Sequence, residues 1–457
     1  MYHQSTNKAP ALRLIRPVIA ICALLLLASV GSVRAAATNS SGAPKARQRV
    51  FNITDYGAIA DGKTDCTAAI QKALDASRNS GGQVDFPAGT YVSRPLTIYS
   101  RTVFNLQSGA KLLASTNQAD FMKAPGDWLK AKTSSDFIPF IGGKELEDVT
   151  FTGSGVIDGN GAVWWDEAEK ARQLKPGYTL PRPNLIGLDR CKNLRVENLT
   201  LQNSPKYHLV PRDCEGVLIP NVTILAPEHA ANTDAIDPSG RHILITKCTI
   251  DVGDDNVAIK AGNKAPGQGF QSEDITITDC TFLHGHGMSI GSETSGGVRN
   301  VTVKNCTFEN TENGIRIKSD TRRGGIVENI LCDGITMKNV NPAITLTCYY
   351  QNNSAGDARV AAARPEVPAD SPNYIPVYRN IQLRNLTATC PKAAGLIWGL
   401  PDSCISNVVF ENVKISAAKG FSLRNAKGVQ LKNVSITVAE GEPFTLENAE
   451  VSGLPVR

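Results

Sequence analysis

His242–Ile250 (HILITKCTI), Asp274–Phe282 (DITITDCTF) and Asn300–Phe308 (NVTVKNCTF) are three copies of one nine-residue module. In the last of them the apolar residues are Val301, Val303, Cys306 and Phe308. Each half alternates with period two, as a strand with one buried face does. Between the halves the parity slips by one, which places a bend there. Further copies start at Asn193, Gly216, Asn329, Asn380, Asn407 and Gly428. Successive starts lie 23, 26, 32, 26, 29, 51, 27 and 21 residues apart, a period typical of solenoids and arrays. Two short strands and a bend in every turn, with apolar residues stacking on their counterparts in the next turn, make an all-β chain wound as a parallel β-helix of about ten turns.

The rest of the chain is read around that coil. Lys8, Arg13, Arg16 and Arg34 are the only charges in residues 1–37, and Val18–Val33 is a run of 16 uncharged residues before the small Ala35–Ala37. This is the pattern of a cleaved export signal, and it is shorter than a membrane span. Residues 38–50 read as a flexible lead-in, and 51–457 as the β-helical catalytic domain. Without residues 1–37 the chain carries 44 basic and 43 acidic side chains, a balance that argues against a nucleic-acid partner. Asp65–Ser77 places Ala69, Ile70, Ala73 and Leu74 on one helical stripe after a possible Asp65 cap, the pattern of a short helix covering the open N-terminal end of the coil. Gln351–Pro376 is a long loop off one turn. Cys248, Cys280 and Cys306 share the seventh module position and should stack in the core. Cys390 and Cys404 could pair in an oxidising compartment. The Asn-x-Thr/Ser triplets at Asn198, Asn221, Asn300 and Asn385 follow from the repeat, and mark glycosylation only in a eukaryotic host.

Carrying the register past the module aligns Asp234, Lys260, Ser292 and Lys318 eighteen residues beyond four consecutive starts, and Asn232, Ala258, Ile290 and Arg316 at sixteen. Thr233, Ile259, Gly291 and Ile317 lie between them, and Glu228, Asp254, His286 and Glu312 lie at twelve. With turns about 4.8 Å apart, Asp234, Asp254–Asp255 and His286 come from three successive turns, and Arg316 and Lys318 from the fourth. Carboxylates crowded in this way raise one another's pKa and serve glycoside hydrolysis. The cations suit an anionic sugar. A divalent-metal site and a purely structural charge ladder are the competing readings, the first opposed by the neighbouring Lys and Arg. Asp237, before Pro238, reads as turn chemistry, and Glu228 and Glu312 as a solvated rim.

In that order and one per turn, Asn232-Thr233-Asp234, Gly253-Asp254-Asp255, Gly285-His286-Gly287 and Arg316-Ile317-Lys318 resemble the polygalacturonases, glycoside hydrolase family 28. Phe51–Thr90, Gly153–Trp165 and Asn203–His208 are similar to it as well. The resemblance implies a right-handed coil and a secreted, monomeric enzyme, extracellular or periplasmic, with pectin or polygalacturonic acid as its partner and no membrane attachment after signal removal. It further implies inverting hydrolysis of α-1,4-galacturonosidic bonds without metal or cofactor. It makes Asp254 the general acid, Asp234 and Asp255 the pair holding the attacking water, and His286 the residue that tunes the acid. Arg316 and Lys318 become carboxylate binders, with Asn232 and Lys260 beside them. The expected tyrosine aligns best with Tyr349, and Tyr350 is the alternative. Endo and exo attack stay open, as do a rhamnogalacturonan or xylogalacturonan hydrolase, a calcium-dependent pectate lyase and a non-catalytic pectin-binding protein.

Overall fold

The structure, a computed structural model, describes residues 49–175, 178–262, 269–350 and 374–454. The export signal, nearly all of the lead-in and most of the Gln351–Pro376 loop lie outside the described residues. No helix among the described residues is long and apolar enough to cross a membrane.

The module's bends have a specific cause. The first position of every copy is left-handed: Asn193, Gly216, His242, Asp274, Asn300, Asn329, Asn380, Asn407 and Gly428 all have φ between 55° and 70°. The sixth position is left-handed too, as at Asn198, Lys247, Asn305 and Gly334. Such backbone is costly for most side chains, and Asn and Gly bear it best. The module is therefore a strand held between two left-handed corners, with a second strand following the second corner. The Asn side chains also link the turns. Asn329 Nδ2 donates to Asn300 Oδ1 at 3.2 Å, Asn380 to Asn329 at 3.2 Å and Asn407 to Asn380 at 3.2 Å. At the other corner Asn412 donates to Asn385 at 3.1 Å and Asn433 to Asn412 at 2.8 Å. Asn198, Asn221, Asn300 and Asn385 belong to these ladders.

Between the corners every strand ladder runs parallel. Leu194, Val217, Ile243, Ile275, Val301, Ile330, Ile381 and Val408 pair in succession and form one buried column. Leu201, Ile224, Ile250, Phe282, Phe308, Met337, Ala388 and Ile415 form a second. The chain is a parallel β-helix with a continuous core. Cys248, Cys280 and Cys306 are buried in that core as free thiols. Cys390 and Cys404 are also free, Cys390 buried on a strand and Cys404 partly exposed.

A third strand per turn carries the site. It runs through Val257–Ile259, Met288–Gly291, Ile315–Lys318 and Ile344–Thr347, then into the C-terminal strands. The expected register fails here by one residue in the turn from Asp274 and by five in the turn from Gly216, where Ile236 and not Ala231 pairs with Val257, so Asp234 does not share a level with Lys260. Ala258 pairs with Ser289 and Arg316, and Ile259 with Ile290 and Ile317, so Ile290 faces the core and Gly291 falls beside Lys318. Pairing, not a fixed offset, sets the register, because the turn from Asp274 reaches Met288 one residue sooner than its neighbours reach Val257 and Ile315.

Helix α1 (Thr67–Ser77) buries Ile70, Ala73 and Leu74, and Ala69 packs partly against them. Cys66, not Asp65, is its N-cap, while Asp65 Oδ1 accepts from the Thr67 amide at 2.9 Å. The helix packs on Val50–Asn52 and Gly82–Phe86, strands of the first turns. Helix α2 (Ala162–Leu174) was not expected from the sequence. Its Trp165 Nε1 donates to the Ser204 carbonyl at 3.1 Å and so fixes the segment leading to Tyr207.

Asn412→Ala should lower stability by about 1–2 kcal/mol, since it places Cβ strain in the left-handed region and cuts two amide rungs. Asn412→Gly, which removes the strain and loses only the rungs, should cost less. Urea denaturation of the two variants measures the difference.

Candidate active site

Ile236, Val257, Met288 and Ile315 are successive partners in the third strand. Two residues before each stand Asp234, Asp255, His286 and Asn313. Asp234 reaches this column because its turn is longer, with 20 residues from Gly216 to Ile236 against 15 from His242 to Val257. Glycines 253, 285 and 287 leave no room for a side chain. A Cβ on Gly287, at φ 75°, would lie 2.0 Å from the Asn313 carbonyl oxygen. These turns bring the charged groups together along a cleft of about 1660 Å³.

Asp255 is the hub. It is 1% exposed and accepts from Lys318 Nζ at 2.8 Å, from Ser289 Oγ at 2.9 Å and from Arg316 Nη2. Arg316 Nε also donates to Ser289 Oγ at 2.9 Å. Burial would raise the Asp255 carboxyl, but Arg316 and Lys318 overcome it and hold the group well below the usual carboxylate range. Both cations are only 4% exposed and already paired, where the sequence suggested groups free for a ligand.

Asp254 makes a second unit. Its Oδ2 accepts from the backbone amide and the side chain of Asn232 at 3.1 and 3.2 Å. Its Oδ1 lies 2.9 Å from His286 Nδ1, and His286 Nε2 lies 3.0 Å from Glu312. With a carboxylate on each nitrogen the ring is an imidazolium donating twice. Burial pulls its pKa down, yet Asp254 and Glu312 push it up to about 10. Burial likewise raises Asp254, but the imidazolium wins and holds it well below the usual range. The expectation that crowding raises the carboxyl of the acid is thus reversed at Asp254, and the proton of the pair resides on His286. The ligating atoms of Asp254, Asp255 and His286 lie within 4.8 Å of one another, and they are engaged by one another and by Arg316, Lys318 and Glu312.

The raised carboxyls are Asp234 and Asp237. Burial and the neighbouring Asp254 and Asp237 push Asp234 well up, against Lys260. Burial pushes Asp237 up to about 7, again against Lys260. Lys260 Nζ lies 3.8 Å from Asp234 and 3.9 Å from Asp237. Asp237 therefore belongs to the buried cluster, where the sequence suggested a turn residue. Glu312 is a rim residue, 72% exposed in its side chain, and still holds His286. Glu228 is exposed. Of the two tyrosines, Tyr349 packs partly against the core, while the Tyr350 ring lies 5.2 Å from Lys318 Nζ. Both line the cleft.

The sequence reading missed Ser289 and Arg182. Ser289 becomes legible once the register is counted from Met288. Arg182 lies in no repeat. It is fully buried, donates to the Pro205 and Ala231 carbonyls at 2.9 and 3.1 Å, and reaches Asn232 Oδ1 at 3.0 Å. It thereby holds the amide that donates to Asp254.

Residues 107–433 match the Glycosyl hydrolases family 28, most of the described coil. The chain belongs to this family. Residues 50–119 also match a rhamnogalacturonase A/epimerase, pectate lyase-like family. The chain is 33% identical to an endo-polygalacturonase of Pectobacterium carotovorum subsp. carotovorum over 80% of its own length and 88% of that protein's. It is 31% identical to a probable polygalacturonase of Vitis vinifera over 81% and 75% of the two chains. Among solved structures it resembles an exopolygalacturonase from Thermotoga maritima, with TM-score 0.69 and 27% identity over 85% of this chain and 92% of that one. It also resembles the polygalacturonase of Erwinia carotovora ssp. carotovora, with TM-score 0.68 and 28% identity over 89% and 97%. As a family 28 member the chain is a glycosidase.

Asp255→Asn leaves Arg316 and Lys318 buried without their carboxylate. The loss of one partner of a buried ion cluster should lower stability by about 3–5 kcal/mol, read from urea or thermal unfolding.

Proposed function

We propose that the chain is an exported polygalacturonase that hydrolyses α-1,4-galacturonosidic bonds of pectin with inversion. The single observation that carries this is the convergence of Asp234, Asp254, Asp255 and His286 from three successive turns on one side of a long, cation-bearing cleft. In this reading Asp254 protonates the leaving glycosidic oxygen, and the proton is drawn from the His286–Asp254 pair through the 2.9 Å hydrogen bond. Asp234 and Asp255 hold the attacking water. Asp255 is the ionised acceptor, while Asp234, whose pKa is raised, takes up the proton the water releases. Lys260 steadies Asp234. Arg316 and Lys318 share their charge between Asp255 and a uronate carboxylate, Asn232 orients Asp254, and Tyr349 or Tyr350 borders the sugar. The N-terminal charge pattern supports export, with a monomer acting on polymer outside the cytoplasm.

Digestion of de-esterified polygalacturonic acid tests the reading. New reducing ends, no ultraviolet absorbance from unsaturated uronide, no effect of chelator and a first product of opposite anomeric configuration are expected. An unsaturated product would mean elimination and end the hydrolase assignment. An early fall in viscosity would add endo action, and monomer release at constant viscosity exo action. Asp254→Asn should fold normally and lose turnover by a factor of about a hundred to ten thousand, the range for a general acid.

The pH profile carries a sign. Turnover should fall on the alkaline side as the His286–Asp254 pair loses its proton, a group pushed up to about 10 in the free site. On the acid side it should fall as Asp234 becomes protonated. Removing one of the two carboxylates that raise His286, in Glu312→Gln, should move the alkaline limb of kcat/KM to lower pH and leave the acid limb in place. An unmoved alkaline limb would remove His286 from the proton path.

A further inference from the structure

We infer that the cleft carries a second saccharide-binding platform, built on Trp398, on the C-terminal side of the acid cluster. It would take a uronate unit of the polymer away from the bond that is cut. This deepens the polygalacturonase reading and rests on it for the identity of the sugar.

The register places the platform. Lys318 pairs with Thr347, Thr347 with Trp398 and Trp398 with Arg424. At about 4.8 Å per strand, Trp398 lies roughly 10 Å along the cleft from Lys318. Neighbouring Ile397 is fully buried, so strand alternation turns Trp398 away from the core and into the cleft. Its indole is already held in place. Nε1 donates to Ser422 Oγ at 3.0 Å, the Arg424 guanidinium lies against the ring at 5.6 Å, and Arg424 is ion-paired to Glu447 at 2.7 Å. A half-buried aromatic ring, fixed by hydrogen bond and cation, can stack on the C–H face of a pyranose at little entropic cost.

The charge around it suits a uronate. Lys419 and Lys392 are exposed cations that line the cleft. Lys392 stands where the register slips between Cys390 and Ala393. Glu440 lines the cleft beyond them and would repel a further uronate, so the strip that favours an anion ends there. The acid cluster and this strip share one cleft and have separate residues.

Steady-state kinetics on tri- and hexagalacturonate and on polygalacturonic acid tests the platform. Trp398→Ala should raise KM for the hexamer and the polymer about two- to tenfold, the range of a single aromatic contact. It should leave KM for the trimer and kcat for all three nearly unchanged, and Trp398→Phe should restore most of the loss. Lys419→Gln should raise KM for the polymer and flatten its dependence on salt. Equal KM changes for trimer and hexamer, or none, would overturn the platform. If Trp398→Ala does not fold, an unchanged chain-length dependence in Lys392→Gln/Lys419→Gln overturns it. Calorimetric binding of polygalacturonic acid to Asp254→Asn, with and without Trp398→Ala, separates the two readings. Loss of affinity in a protein whose wild type cleaves no galacturonide would sink the activity and keep the platform. Unaltered affinity would do the reverse.

Discussion

Every turn of the coil must return to the same height above its neighbour, and two left-handed corners per turn make that possible. An L-residue in that conformation is strained unless it is Gly, or an Asn or Asp able to bond locally. In this chain the corner Asn residues do more than tolerate the strain. The amides of Asn329, Asn380 and Asn407 each donate to the corner of the turn before, so the residue that bends the chain also fixes the stacking distance. With both corners pinned, the length of the rest of the turn is free to vary. That freedom is used at the site. The turn from Gly216 takes five more residues to reach its third strand than its neighbour does, and the extra length carries Asn232 and Asp234 over the cleft.

The charges the corners bring together do not make a stability device. A buried ion cluster rarely repays its own desolvation, and here one cluster holds Asp234, Asp237, Asp254 and Asp255 with Lys260, Arg316, Lys318 and His286. Its arrangement sorts protons. Asp255, with two cations and Ser289, stays ionised. Asp254 gives its share of proton to His286. Asp234 and Asp237 divide one lysine at nearly 4 Å and are left with unbonded oxygens among the described residues. Four neighbouring carboxyls of the same residue type thus differ widely in acidity because their partners differ.

Much of this was legible in the sequence, for reasons specific to each part. The module is periodic, so strands, bends and core columns could be counted. Corners could not be told from ordinary bends until Asn, Gly, Lys and His were seen to share one backbone conformation. The register of the third strand was counted from the module start, although the strand is fixed by its own core residues. One missing residue before Met288 therefore put Ile290 outward and hid Ser289. Asp237 looked like a turn because Pro238 follows it, and only its burial beside Lys260 shows otherwise. Arg182 acts from a segment with no repeat, so no spacing pointed to it. The order of the carboxyl pKa values depends on distances of an ångström, which no residue count supplies.

The third strand explains how such a site can coexist with so regular a core. Ile317, Leu346, Ile397 and Leu423 alternate along the coil with Lys318, Thr347, Trp398 and Arg424. The first set is uniform because each member packs on the turn before and after it. The second set is chemically diverse because its neighbours are the cleft and one another. Strand parity keeps the two sets apart, so an outward residue can change from cation to hydroxyl to indole without altering the column one position away. Specificity along the cleft is written in the outward set alone, and the core constrains the position of each side chain while leaving its chemistry free.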